Sequence, residues 1–158
     1  MSLTGYLTLF GVAAMTCTGC QPAQTPVEEK KMTDVQYLNM PGTDDLGLPF
    51  SSAVRVDNML YLSGNIGNLP GSLELAPGGI RAETRQTMEN MKAVLEQFGS
   101  SMDRVVKCTV FLADMSEWPA MNEVYRTYFT KPPARSALGA SGLAVNARVE
   151  IECIATVD

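Results

Sequence analysis

Residues 80–112 read IRAETRQTMENMKAVLEQFGSSMDRVVKCTVFL, and a change of period inside this stretch decides the fold class. Ile80, Thr84, Met88, Met91, Leu95 and Phe98 recur at the three- and four-residue spacing of one helix face, and Gly99 stands where a helix is commonly capped. Glu83, Arg85, Glu89, Lys92 and Glu96 fall on the opposite face, which should be wet. From Val105 to Leu112 the chain becomes β-branched and aromatic, the composition of a mostly buried strand.

Upstream, Val54–Val56 and Met59–Ser63 are strand candidates joined by Asp57-Asn58, a pair suited to a tight hairpin, and Asn68–Gly79 is a loop rich in Pro and Gly. Downstream, Ser116 can cap a second helix with Pro119 in its first turn. Trp118, Met121, Tyr125 and Tyr128 or Phe129 form its apolar stripe until Pro132-Pro133 ends it. Arg135–Leu138 and Arg148–Val157 complete the pattern as strands. The order strand, strand, helix, strand, helix, strand, strand implies an α+β domain, with an antiparallel or mixed sheet and two helices on one face. The uncovered face of such a sheet predicts association with further copies of the chain.

The chain has 158 residues, enough for one domain with a real core. Its net charge of -5 and the lack of any basic run argue against nucleic acid as a partner. Histidine is absent, which removes Ser-His-Asp, Cys-His and His-nuclease chemistry and the commonest zinc ligand. Catalysis must then use carboxylates, Arg, Cys, Tyr or the backbone. Of the four cysteines, Cys108 and Cys153 lie in strand-like runs far from other soft ligands, so no metal site is expected. They read as small buried hydrophobes rather than as a disulfide.

Residues 1–20 are apolar and small and end in Thr18-Gly19-Cys20, ahead of a polar tether at residues 21–34 that is rich in Pro. This resembles a lipoprotein signal with Cys20 as the lipidated residue, implying a cell-envelope location and a lipid anchor. No Lys or Arg precedes Met15, although an export signal carries a positive n-region. The alternative is a cytoplasmic protein translated from Met32. In either case the folded domain spans residues 35–158.

Three features can carry chemistry. Along the last strand Arg148, Glu150 and Glu152 share one face, while Val149, Ile151, Cys153 and Ala155 share the other. Occlusion of the charged face would raise the pKa of a carboxylate and make it a proton-transfer group. In Pro132-Pro133-Ala134-Arg135-Ser136 a stiff double proline delivers an Arg, the side chain shaped to grip a carboxylate, to the start of a strand. In Leu62-Ser63-Gly64 a strand runs out at a residue that lets a ligand approach the backbone. Taken singly, these are a solvated face, a surface Arg and a turn.

Together, with Thr87–Leu95, Val106–Met115, Met121–Tyr125 and Tyr128-Phe129, they resemble the Rid (YjgF) family over nearly all of Val35–Val157. The resemblance implies a chorismate-mutase-like fold and a homotrimer with clefts between subunits. It implies hydrolysis of reactive 2-imino acids to 2-keto acids and ammonia, without cofactor or metal. Arg135 would clamp the substrate carboxylate and Glu150 would activate the attacking water. Ser63, Gly64, Phe50 and Ala137 would line the pocket, and Asn122 would hold the subunit interface. Phe50 stands where active members usually carry Tyr, Ala137 where they carry Cys, and Asn65 where Gln is frequent. A trimeric module that binds small carboxylates or proteins without turnover is the alternative function.

Overall fold

A computed structural model of the protein describes residues 32–43 and 47–158. The signal-like segment with Cys17 and Cys20, and the tether as far as Lys31, lie outside the described residues. The strands are β1 (Val35–Leu38), β2 (Ala53–Val56), β3 (Met59–Leu62), β4 (Asn65–Ile66), β5 (Val105–Leu112), β6 (Ala134–Gly139) and β7 (Val149–Thr156). The helices are α1 (Ile80–Gln97) and α2 (Trp118–Tyr125). The sheet runs β1-β2-β3-β7-β5-β6, with β4 beside β7. Every pairing is antiparallel except that of β5 with β6, whose connection runs through α2. The α+β class and the mixed sheet agree with the sequence reading.

Local chemistry sets the element ends. The β2–β3 hairpin turns at Asp57, whose φ of +49° is tolerated by a short polar side chain. Just past the end of α1, Gly99 takes a φ of +80°, and the Ser100 N–H donates back to Leu95 O at 2.8 Å. Before α2 the Asp114 carboxylate, not Ser116, accepts from a free N–H, that of Ser116, at 2.8 Å. A short 3₁₀ turn then leads into a helix with Pro in its first turn.

The core lies between the helices and one face of the sheet. Leu60, Val110, Leu112, Val149 and Ile151 of the sheet meet Met88, Met91 and Leu95 of α1 and Met121 of α2, all fully buried. Helix α1 approaches the chain after β4 so closely that a β-carbon on Gly67 would fall 2.6 Å from Glu83 O.

The structure corrects the sequence reading in three further places. Glu83, assigned to the wet face of α1, is buried, and its carboxylate accepts from the Arg148 N–H at 2.8 Å. Arg148 does not share a face with Glu150 and Glu152. It precedes β7, and its guanidinium pairs with Glu117 at 2.5 Å and approaches Glu83 at 3.7 Å, because the buried Glu83 needs a cation. Cys108 and Cys153 are not separate thiols but a disulfide. They face each other across β5 and β7 with Cα atoms 4.1 Å apart, a register between segments 45 residues apart in sequence. Strand β1, for which the sequence offers no clear alternation, extends the sheet beyond β2.

Candidate active site

Alternation along β7 sends Val149, Ile151, Cys153 and Ala155 into the core, so Glu150 and Glu152 stand on the face of the sheet that no helix covers. Phe111 of β5 and Ile66 of β4 are the cross-strand neighbours of Glu150, and Leu138 follows Phe111 in the same row. This apolar row and the partial burial of Glu150 push its carboxyl above the ordinary glutamate range, and the charge of Glu152 adds to the shift. With Arg148 turned toward α1, this face carries Lys107 of β5 instead, whose ammonium donates to Ser136 Oγ at 2.8 Å.

Gly64 lies between β3 and β4, directly under Glu150. A β-carbon there would fall 2.8 Å from Glu150 Cδ and overlap Oε1, so only glycine leaves room for the carboxylate. Ser63 is tied to the segment just before β2: its hydroxyl donates to Ser51 O at 2.7 Å, and its N–H to Ser52 O at 3.1 Å. Phe50, next to Ser51, is exposed. Ser63, Gly64 and Glu150 therefore form one cluster, and the Ser63–Ser51 hydrogen bond places the Phe50 loop beside it.

Arg135 belongs to a second cluster. It is the register partner of Cys108, whose side chain is in the core, so Arg135 points to the helix side of the edge strand β6. There its Nη1 donates to Asn122 Oδ1 at 2.7 Å, and its guanidinium carbon lies 4.7 Å from the centroid of the Tyr125 ring. Ala137, two residues on, is half-buried on the same side, opposite Val110. Asn122, expected at an interface, holds the guanidinium within its own chain. Tyr125 was legible only as a member of the apolar stripe of α2. The signal for its contact was its spacing of three residues from Asn122 on one helix face.

Within one chain the two clusters do not meet. Arg135 and Glu150 are separated by β5, roughly 10 Å of sheet at the usual strand spacing, and they project from opposite faces.

The profile of the family described as Endoribonuclease L-PSP matches residues 45–157. A 2-iminobutanoate/2-iminopropanoate deaminase of Dermatophagoides farinae is 45% identical over 111 residues, covering 70% of this chain and 87% of its own. The mouse (Mus musculus) protein of the same description is 44% identical, covering 68% of this chain and 80% of its own. Among solved structures, yeast Mmf1 superposes with a TM-score of 0.71 at 32% identity, covering 79% of this chain and all of that one. RidA from Psychrobacter sp. PAMC 21119 superposes with a TM-score of 0.67 at 38% identity, covering 70% and 90%. The family match over residues 45–157 and these relatives place the α+β sheet in a known class: the chain belongs to the Rid (YjgF, endoribonuclease L-PSP) family.

Proposed function

We propose that the protein hydrolyses reactive 2-imino acids to 2-keto acids and ammonia, in sites shared between the subunits of a homotrimer. The Arg135 guanidinium grips the substrate carboxylate with parallel hydrogen bonds and fixes the imine carbon opposite Glu150. Glu150 takes a proton from water as the water oxygen bonds to that carbon. That proton passes to the nitrogen to give a carbinolamine; Glu150 then takes the carbinol O–H proton and delivers it to the same nitrogen as the C=O bond forms and the C–N bond breaks, so ammonia leaves and the keto acid remains. The carbonyl oxygen comes from water, and no electrons are exchanged with a cofactor.

The observation that carries this reading is the Glu150 carboxylate, seated on Gly64 with its pKa raised, on a face open to a second copy. Capture of a carboxylate needs an Arg but not such a base. The relatives named as deaminases support the same chemistry. The apolar row beside Glu150, together with exposed Tyr61 and Leu138, favours burial of this face in a trimer. Light scattering on the purified protein should give a trimer, and a stable monomer would overturn the shared site.

Turnover is tested by keto-acid release from imines generated in place by an amino-acid oxidase. Glu150→Gln should lower kcat about 100- to 10,000-fold with little change in binding. Arg135→Lys should weaken both. A wild-type protein that binds 2-keto acids without accelerating imine hydrolysis would make it a binding module, and Phe50→Tyr would then be the first restoration to try.

For location, we propose the cell envelope, with Cys20 as the lipid attachment point. The Cys108–Cys153 disulfide supports an oxidising compartment. Among the described residues no helix is long and apolar enough to cross a membrane. Native protein should partition with membranes and Cys20→Ser should release it. Cytoplasmic protein beginning at Met32 would overturn the proposal.

A further inference from the structure

Arg135 is held entirely by neutral groups. Arg81, Arg104 and Arg148 each pair with a carboxylate, whereas Arg135, like Arg55, Arg85 and Arg126, has none within ion-pair distance among the described residues; Arg135 differs from those three in being held by a side-chain amide and an aromatic ring. Its contacts are the Asn122 amide oxygen on one side and the ring of Tyr125 on the other. Such an arrangement fixes a guanidinium in place and leaves its charge uncompensated for an anion.

The two holders stand three residues apart on α2 and thus share a face of the helix. Tyr125 is only 6% exposed, and Phe129 braces it with ring centroids 4.9 Å apart. Its hydroxyl is buried without a hydrogen-bond partner, so the ring rather than the oxygen makes the contact to Arg135. Burial pushes that hydroxyl up to about 12, which keeps it neutral at any working pH.

We propose that Tyr125 is a positioning residue for the carboxylate clamp: its ring is the platform that, with Asn122, aims the Arg135 guanidinium at the substrate carboxylate. The proposal rests on the assignment of Arg135 as the clamp. It names the ring face, and not the tyrosine hydroxyl, as the determinant of carboxylate affinity.

The test uses the full-length protein and three forms: wild type, Tyr125→Phe, which keeps the ring, and Tyr125→Met, which fills similar space with no aromatic face. Binding of 2-oxobutanoate is followed by calorimetry, kcat and KM by the oxidase-coupled assay, and folding by thermal unfolding. Tyr125→Phe should bind within about twofold of wild type. Tyr125→Met should bind about 3- to 30-fold more weakly, with a matching rise in KM and a smaller change in kcat, the range a desolvated cation–π contact supplies. A structural role alone would lower the melting temperature without separating Phe from Met in affinity.

Wild-type affinity in the folded Met variant would overturn the proposal, as would equal loss in both variants or no binding of 2-oxobutanoate by wild type. If Tyr125→Met does not fold, the Phe variant together with Asn122→Ala decides: the platform requires affinity to survive in the first and fall in the second. Binding that follows this pattern in a protein without turnover would sink the deaminase assignment and leave the platform standing.

Discussion

The Glu150 carboxylate lies across the α-carbon of Gly64, on the open face of the sheet. The contact explains why the chain breaks from β3 to β4 at a glycine, and it separates the needs of the fold from those of the reaction. A side chain at 64 would meet the flexible end of Glu150, which can swing away, rather than backbone.

Gly64→Ala should therefore fold with a melting temperature near that of wild type, while kcat falls about 10- to 100-fold because the base is displaced from its water. The oxidase-coupled assay, run beside thermal unfolding, checks both halves. A fully active Gly64→Ala would remove Glu150 from the mechanism as drawn.

The shift at Glu150 sets a pH dependence. Its carboxyl is raised above the ordinary value of 4.5, first by burial and then by Glu152, so it loses its ionised form at a higher pH than an ordinary glutamate does. The acid limb of kcat should lie above that value, and Glu152→Gln should move it down. A group raised in the folded state contributes stability that is complete below its unfolded pKa and is lost as pH rises through the folded pKa. Glu150→Gln should accordingly raise the melting temperature at pH 7, and the difference should close below about pH 4.

The buried Glu83 carboxylate joins α1 to the start of β7 through the Arg148 N–H. Glu83→Ala leaves that donor and the Glu117–Arg148 pair without their partner, and should cost about 1–3 kcal/mol. Denaturant unfolding measures it, with kcat at low denaturant expected to stay near wild type.

Cys108 and Cys153 close a loop spanning 45 residues between the strands that flank the site. The double substitution Cys108→Ala/Cys153→Ala should cost about 2–4 kcal/mol in denaturant unfolding. In unfolded, unreduced protein neither sulfur should react with a thiol reagent until a reductant is added.

What the sequence revealed and what it hid divide along local and non-local lines. Helix α1, the hairpin at Asp57 and the inward and outward residues of β7 follow from periods of 3.6 and 2, which are properties of a short segment. Arg135 and Glu150 stood out as the candidate pair because their neighbours resemble the family. Their separation onto opposite faces was not, since Ala134–Gly139 shows no apolar alternation and its facing is set by pairing with β5. The disulfide and the Arg148–Glu83 contact were hidden for the same reason. Each joins residues that only the register or the helix docking brings together. Glu83 looked wet because charge was taken as exposure, whereas the backbone N–H it serves lies 65 residues away.

Opposite-facing half-sites also make a genetic statement. In a ring of three subunits, each site would take Arg135 from one member and Glu150 from the next, so two individually dead alleles could rescue each other. Equal random mixing of Arg135→Ala and Glu150→Gln subunits, after unfolding and reassembly, should restore roughly a quarter of wild-type turnover, since every mixed ring contains one undamaged junction. Each variant reassembled alone should stay inactive. Should the mixture also stay inactive, both groups would have to come from a single polypeptide, and the arrangement of the catalytic centre across subunits would be wrong.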